Sequence, residues 1–273
     1  MLIGTHVAVG GGLVKVGLAE AIEVGAEIIQ LFGGNPRSWA PRAADPAADE
    51  AFRAACADLK LPVVVHAPHL MNLCSPSDQV RRRSVAGLET TMDRAVAIGA
   101  RSVVLHAGSV VDGARRTEVL AGLHDVVAPI IDRDDVQLLI EPTAGGGQAA
   151  AATIDSTIEY MLAVKDERVG LCFDTCHLHA AGEDLSDPRL LDRVTVALGP
   201  DRIALVHVND SRDAVGSHRD RHESLGNGAI GLPALETFLA SSALAGVPML
   251  VETPTHARDV ALLKDFRQRR SAR

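Results

Sequence analysis

The segment VGLCFDTCHLHAAG, residues 169–182, contains two cysteines, one carboxylate and two histidines within eight consecutive residues. Thiolate, imidazole and carboxylate groups all bind Zn²⁺, so this composition predicts a metal site, a thiol site or the polar end of a buried strand. Cys172 and Cys176 are four residues apart, which is not the C-x-x-C spacing of a zinc knuckle or a redox pair. We therefore interpret both as buried, reduced thiols and keep Asp174 and His177 as candidate ligands.

The apolar run before Asp174 is one of eight short segments with strand character, and most are separated by Ala- and Leu-rich helical stretches. This alternation predicts a parallel sheet covered by helices. Eight such units favour a closed (β/α)8 TIM barrel forming a single domain over residues 1–273, with an open doubly wound sheet as the alternative. The predicted strands are residues 2–7, 27–32, 62–66, 102–106, 137–141, 170–174, 203–208 and 248–252.

Six consecutive predicted strands end in a residue that can bind a metal ion. The carboxyl ends of barrel strands converge on one mouth, where TIM-barrel enzymes carry their active sites. A long polar segment after the seventh strand, residues 207–228, adds Asp220 and His222, and His177 follows Asp174 by three residues. The strand-end residues are His66, His106, Glu141, Asp174, His207 and Glu252.

Five histidines and four carboxylates at one mouth predict a centre with more than one metal ion. Four neighbouring carboxylates would repel one another and would not all stay ionised unless cations lay between them. Imidazole together with carboxylate suits Zn²⁺, and also Mn²⁺ or iron. Nine ligands exceed the capacity of one ion, so we expect two or three divalent ions.

The composition sets limits on location and partners. The chain is 47% hydrophobic and 23% charged, which is sufficient for a large core. The sequence contains neither an apolar run of about 18 residues nor a basic-then-apolar leader segment, so we predict a cytoplasmic protein without a membrane span. The formal net charge of −8, taken alone, argues against a nucleic-acid partner.

Motifs along nearly the whole chain resemble those of the endonuclease IV family of apurinic/apyrimidinic endonucleases. GTHVAVGGGL (4–13) resembles the family's first strand and glycine turn, and LFGGNPRSW (31–39) resembles its second-strand loop. The most specific matches are GLCFDTCHLHAAG (170–182) and residues 207–231. The remaining matches are VVVHAPHLMNLCSP (63–76), LHAGS (105–109), IEPTAGGG (140–147) and VETP (251–254).

The resemblance implies a TIM barrel with three metal ions, typically zinc, that hydrolyses duplex DNA 5′ to an abasic site and leaves a 3′-hydroxyl and a 5′-deoxyribose phosphate. His66 and His106 would hold one ion, and Glu141 would bridge it to a second and position a bridging hydroxide. Glu141 and His177 are therefore the expected catalytic residues. Asp174, His207 and Glu252 would complete the second site, and His177, Asp220 and His222 the third.

The same resemblance predicts how DNA is held. Three divalent ions would offset most of the formal negative charge and make the mouth attractive to phosphate. Arg37, Arg219 and Arg221, on loops of that mouth, are expected to contact DNA. His69 stands where the family usually carries tyrosine and is followed by Leu70; side chains there enter the DNA at the lesion. An imidazole stacks with less area than a phenol ring, so His69→Tyr should change DNA affinity and cleavage.

Pro142 is a second departure, since the family commonly has asparagine after the bridging glutamate. Proline lacks a backbone donor. We therefore expect one supporting hydrogen bond beside Glu141 to be missing, while Glu141 itself remains a ligand.

Two other functions remain open on the sequence alone. A metal-dependent sugar isomerase or epimerase shares the barrel and a His/Glu/Asp mouth but needs fewer ions, so metal content separates it from a nuclease. A non-catalytic binder of damaged DNA would bind a lesion without cutting. For the nuclease we expect a monomer without an organic cofactor.

Overall fold

Parallel strands close into a barrel in the computed structural model, which describes residues 1–40, 43 and 45–271. Two short strands after the seventh form a separate antiparallel ribbon. The strands are β1 (Ile3–His6), β2 (Ile29–Phe32), β3 (Val63–His66), β4 (Ser102–His106), β5 (Gln137–Glu141), β6 (Gly170–Asp174), β7 (Ile203–His207), β8 (Asp210–Ser211), β9 (His222–Glu223) and β10 (Met249–Val251).

The order of the strands confirms the predicted TIM barrel and excludes the open doubly wound sheet. Going round the barrel, the order is β1-β10-β7-β6-β5-β4-β3-β2, and β1 pairs with both β10 and β2. All eight predicted strands are present, with ends that agree to within two residues. The eighth predicted strand is one residue too long at its carboxyl end, so Glu252 lies one residue beyond β10 rather than inside it.

Helices cover the outside of the barrel, and several begin where the sequence carries a capping residue. Asp45 accepts a hydrogen bond from Ala48 N at the start of α2, and Ser77 accepts one from Val80 N at the start of α3. The described α-helices are α1 (Ala19–Glu23), α2 (Pro46–Asp58), α3 (Asp78–Ala97), α4 (Arg116–Ala121), α5 (Leu123–Ile131), α6 (Ile154–Val164), α7 (Thr175–Ala181), α8 (Asp192–Leu198), α9 (Gly231–Leu239) and α10 (His256–Ser271).

Two apolar layers hold the barrel together. The larger layer lies between strands and helices and includes Phe52, Leu88 and Tyr160. The smaller fills the barrel interior with one side chain from most strands: Ile28, Val64, Val104, Leu139, Cys172, Leu205 and Leu250. Cys172 is therefore a buried thiol on the axis below the mouth, as predicted, and the cysteines at 56, 74 and 176 are also buried and free.

A close approach between β1 and the start of β2 requires glycine. A Cβ atom on Gly4 would lie 1.6 Å from the carbonyl oxygen of Ile28. Because backbone cannot give way as a flexible side chain can, any larger residue at this position would separate two barrel strands.

The described residues include no helix with the length and apolar character needed to cross a membrane.

Candidate metal centre

Strand register brings the predicted ligands together in neighbouring pairs. His106 of β4 is in register with Glu141 of β5, and Asp174 of β6 is in register with His207 of β7. Adjacent strands are about 4.8 Å apart, so each pair lies side by side at the carboxyl end of the barrel. The mouth therefore forms because each of these strands ends in its polar residue at the same level.

Glu141 lies at the centre of the donor set and is almost completely buried. Its Oε2 atom is 3.2 Å from His66 Nε2 and 3.5 Å from His106 Nε2. Its Oε1 atom is 3.1 Å from His207 Nδ1 and 3.3 Å from His177 Nδ1. Oε2 thus faces the two histidines predicted to share one ion, and Oε1 faces His207 of the second predicted site, as expected of a carboxylate shared by two cations.

Helix α7 explains the spacing between Asp174 and His177. Asp174 is the N-cap residue of α7, and its Oδ1 accepts a hydrogen bond from His177 N at 3.0 Å. Since an N-cap carboxylate bonds the amide two or three residues ahead, a three-residue spacing ties the two ligands together. The Oδ2 atom of Asp174 remains turned to the mouth, 3.5 Å from His222 Nε2.

His177, Asp220 and His222 form a third group of donors. His177 Nε2 is 3.2 Å from Asp220 Oδ2, and His222 Nε2 is 3.1 Å from Asp220 Oδ1. Although it is this close to a carboxylate, His222 Nε2 is buried and has no hydrogen bond of suitable geometry to any described residue. A buried ring nitrogen without a partner is costly, and a metal ion among the three side chains would coordinate its lone pair.

Backbone carbonyls orient three of the histidines. His66 Nδ1 lies 2.7 Å from Ala67 O, His177 Nδ1 lies 3.0 Å from Pro142 O, and His222 Nδ1 lies 3.4 Å from Glu252 O. A proton on Nδ1 donated to a carbonyl leaves Nε2 free as a ligand. Pro142 therefore retains one supporting interaction, because that interaction uses its carbonyl oxygen and not the missing N–H.

Three polar residues that the sequence analysis did not single out support the ligands. The Oε1 atom of Gln30 is 2.9 Å from His207 Nε2, and its Nε2 donates to Glu252 Oε1 at 2.7 Å. Asn209 donates to Asp174 Oδ2 at 2.6 Å and accepts from Glu252 N at 2.8 Å. The third residue, His6, has Nδ1 3.2 Å from Glu252 Oε1.

Weak signals for these residues were present in the sequence. Gln30 is the one polar side chain within the otherwise apolar strand IQLF, and a buried amide usually has a specific partner. His6 ends β1 in the same way that His66 ends β3. Asn209 follows β7 by two residues, and nothing in its local pattern distinguishes it from an ordinary loop residue.

The excess of carboxylate controls the protonation of the mouth. Burial lowers the pKa of His222, but the carboxylates of Asp174, Asp220 and Glu252 outweigh burial and raise that pKa to about 9. Burial and nearby carboxylates act in the same opposed way on His177, whose pKa lies well above its usual value. This concentration of negative charge is the electrostatic requirement that divalent cations meet.

His106 shows the opposite behaviour. Burial lowers the pKa of His106 to about 3, and the neighbouring Glu141 offsets only part of that effect. A histidine that stays neutral at pH 7 keeps a lone pair for a metal ion.

The ribbon β8–β9 and its following turn hold the third group in place. Asp210 is fully buried, and its carboxylate accepts hydrogen bonds from Gly226 N at 2.9 Å, Gly228 N at 3.2 Å and Ile230 N at 2.9 Å. A Cβ on Gly228 would lie 2.4 Å from Asp210 Oδ1, so glycine is required there. Asp220 lies on the segment between β8 and β9. The Asp210 carboxylate at the start of this segment binds the turn that follows β9, although Asp210 is not one of the candidate ligands.

The residues predicted to contact DNA lie on the loops that follow β2, β3 and β8. Arg37 and Leu70 are exposed on the loops after β2 and β3. Arg221 forms a two-point ion pair with Asp213, and Arg219 Nη1 is 3.6 Å from the same carboxylate. Asp213 thus neutralises part of the charge that these two arginines would offer to phosphate.

Cys172 and Cys176 lie close to the candidate ligands. Cys172 is within 4.8 Å of donor atoms of Glu141 and His207, and Cys176 is within the same distance of donor atoms of Asp174 and His222. Burial raises the pKa of each thiol to about 12. A neutral thiol is a poor nucleophile, which favours packing roles for both.

The donor set fits divalent metal ions. Nine imidazole and carboxylate side chains meet in three overlapping groups, with Glu141 and Asp174 between them. Nitrogen and oxygen donors of this kind suit Zn²⁺, Mn²⁺ and Fe²⁺, and neutralising cations remove the repulsion between the acidic groups.

Known proteins of similar sequence and structure identify the family. The model of a family described as xylose isomerase-like TIM barrel matches residues 18–270. A protein of Streptomyces avermitilis named probable endonuclease 4 is 41% identical over 97% of this chain and 90% of its own length. A Mycobacterium tuberculosis protein of the same name is 40% identical over 97% of this chain and 98% of its own length.

Solved structures agree. Endonuclease IV from Thermus thermophilus superposes with a TM-score of 0.82 at 34% identity over 98% of both chains. A D-tagatose 3-epimerase-like protein, at 18% identity and a TM-score of 0.76, shares the fold alone. The chain therefore belongs to the endonuclease IV family, within the xylose isomerase-like TIM barrels.

Proposed function

We propose that this protein is a metal-dependent endonuclease that hydrolyses duplex DNA 5′ to an abasic site, leaving a 3′-hydroxyl and a 5′-deoxyribose phosphate. The observation that carries the proposal is the continuous set of nine donors in three groups, linked by Glu141 and Asp174. The relatives named endonuclease 4 support it independently.

In this proposal the three groups hold three divalent ions, most simply Zn²⁺, with Mn²⁺ or iron as alternatives. His66, His106 and Glu141 would hold the first, Glu141 with Asp174, His207 and Glu252 the second, and His177, Asp220 and His222 the third. When bound, such ions neutralise phosphate charge and lower the pKa of a coordinated water.

The chain itself contributes orientation and shape. Gln30 and Asn209 fix the carboxylates of Glu252 and Asp174. A cavity of about 980 Å³ opens beside the centre and is lined by residues that include Phe32, His69 and Asp220. We propose that it receives the abasic nucleotide, with Arg37, His69, Leu70, Arg219 and Arg221 contacting the surrounding DNA.

The test is cleavage of a labelled duplex that contains one abasic site, using protein whose metal content has been measured. We expect a single nick on the 5′ side of the lesion, no nick in the undamaged duplex, and loss of cleavage in Glu141→Gln. Absence of scission by protein that holds its ions would refute the nuclease. Tight lesion binding in that case would identify a non-catalytic binder.

A sugar isomerase or epimerase is the second candidate because epimerase-like proteins share the fold. The third donor group favours the nuclease. Isomerisation needs only one or two ions, so it would leave His177, Asp220 and His222 without a metal to bind. One or two ions per chain, together with isomerisation of a ketose, would reverse this preference.

A further inference from the structure

The loop after β3 places an additional imidazole next to two of the proposed ligands. The ring centroid of His69 is 5.2 Å from that of His66 and 5.0 Å from that of His106. A donor nitrogen on each of the three rings lies within 4.8 Å of those on the other two. His69 is thus a neighbour of the first donor group as well as a residue of the DNA-facing loop.

The donor nitrogens of the three rings, all within 4.8 Å of one another, are near enough to converge on one ion. With Zn–N bonds of about 2.0–2.1 Å, two nitrogens on a tetrahedral zinc are about 3.4 Å apart. His69 is exposed, so a small change in its side-chain torsions can bring the ring closer to the other two. His66 and His106, by contrast, are held by the barrel strands that they end.

The backbone keeps His69 at this place. His69 N donates to Pro36 O at 3.2 Å, which ties the loop after β3 to the loop after β2. The His69 ring also makes an edge contact with Phe32, with centroids 5.2 Å apart. These contacts present the imidazole to the mouth without involving it in a hydrogen bond to a described carboxylate.

We propose that His69 is a fourth protein ligand of the ion held by His66, His106 and Glu141. Three protein ligands and a coordinated water or hydroxide make four bonds, so His69 would bring the ion to five-coordination. The usual family residue at this place, tyrosine, has no imidazole nitrogen to offer. The inference rests on the proposed metal centre and concerns how firmly this chain retains its first ion.

The test compares the cobalt-substituted wild-type protein with His69→Phe, which keeps a ring beside Phe32 but removes both nitrogens. Two quantities are measured without DNA: the visible ligand-field absorption of bound Co²⁺ and the rate at which each ion passes to a chromophoric chelator. We expect a changed spectrum and one ion released at least about tenfold faster, since even a residue that only supports a ligand changes metal affinity by that factor.

Two further variants make the result decisive. His256→Phe removes another partly exposed imidazole, one whose Nε2 is 3.1 Å from Glu20, and should behave as wild type. His69→Gln repeats the test if the phenylalanine variant folds poorly, as judged by circular dichroism.

The outcomes separate this inference from the proposed function. Identical spectra and release rates for wild type and both His69 variants, with the ions bound, would overturn the role of His69 and leave the nuclease proposal intact. Failure of the wild-type protein to bind cobalt or zinc at all would overturn the metal centre and this inference together.

Discussion

Asp174 illustrates how a single residue determines local structure and site geometry together. One carboxylate oxygen caps α7 by accepting from His177 N, while the other faces His222. Capping fixes the first turn of the helix and therefore the position of His177 relative to the strand end. The spacing Asp-x-x-His is thus a consequence of helix initiation, and it places two ligands in adjacent donor groups.

His177→Ala should remove one ion and most of the proposed cleavage activity while the barrel still folds. The side chain is buried between Glu141 and Asp220, and the proposed assignment gives it as a ligand to the third ion alone. Metal analysis of the purified variant, with circular dichroism to check the fold, measures the effect.

Cys172→Ser and Cys176→Ser are matched controls within the same segment. Both thiols are buried, and we expect neither substitution to change the metal content. Loss of an ion in either serine variant, or three ions retained by His177→Ala, would show that the ligands have been assigned incorrectly.

At the scale of elements, the segment from β8 to α9 is held by backbone donors that converge on Asp210. The carboxylate takes the place of a regular hydrogen-bonding partner for glycines 226 and 228 and for Ile230. Because Asp220 is half-exposed, its position depends on this segment keeping its shape. Support for the third donor group therefore comes from outside the centre.

Asp210→Asn should lower the affinity of the third ion about tenfold, the lower end of the range for residues that support ligands. The amide replaces one acceptor oxygen with a donor that would face backbone N–H groups. Competition with a chelator measures the affinity of each ion, and Asp201→Asn, at an exposed carboxylate, is the control. Unchanged affinities in Asp210→Asn would show that the segment is held by other contacts.

A second element-scale feature joins α10 to the opposite end of the barrel. Glu27 Oε2 accepts from Ile3 N at 3.1 Å, and Glu27 Oε1 accepts from Arg267 Nη2 at 2.8 Å. Arg267 lowers the pKa of the Glu27 carboxyl, against the opposing effect of burial. A lowered folded-state pKa stabilises the protein above the ordinary glutamate pKa and ceases to do so as the pH falls through the lowered value.

Glu27→Gln should therefore destabilise the protein by about 1 kcal/mol at pH 7, the upper range for a partly exposed pair. The difference from wild type should shrink as the pH is lowered below about 4. Urea unfolding of both proteins at several pH values measures it. A difference that is the same at pH 7 and at low pH would contradict an ionic origin.

At the scale of the whole molecule, the acidic charge is not evenly distributed. The chain has a formal net charge of −8, and four of its carboxylates lie at the mouth within hydrogen-bonding distance of histidines. Cations bound there would make an acidic protein locally attractive to DNA. Net charge alone therefore gave a misleading indication of the partner expected from the family.

Removal of the ions should lower the unfolding temperature of the whole barrel. Ligands that bind only the native state stabilise it by about 4 kcal/mol for each site at a free concentration 1,000 times the dissociation constant. Scanning calorimetry with zinc, with chelator, and after zinc is restored would measure this, and one transition is expected if residues 1–273 form a single domain. An unfolding temperature indifferent to zinc, in protein that binds it, would contradict a centre formed only by the folded barrel.

The sequence by itself determined the fold and the meeting of the candidate donors at one mouth, because both depend on regular spacing. Alternating strands and helices specify a barrel, and a polar residue at each strand end must reach the same mouth whatever the loops do. The nine predicted donors accordingly lie together, with Glu252 just beyond its strand. The pairing of Asp174 with His177 could also be predicted from spacing, because helix capping involves only neighbouring residues.

Only the tertiary structure decided which other residues support the centre. Gln30 meets Glu252 across 222 positions of sequence, and Asn209 meets Asp174 across 35. Likewise, the proximity of His69 to His66 and His106, and of Arg221 to Asp213, follows from how loops pack. Such contacts depend on side-chain direction and loop conformation, which no periodic pattern of residues encodes.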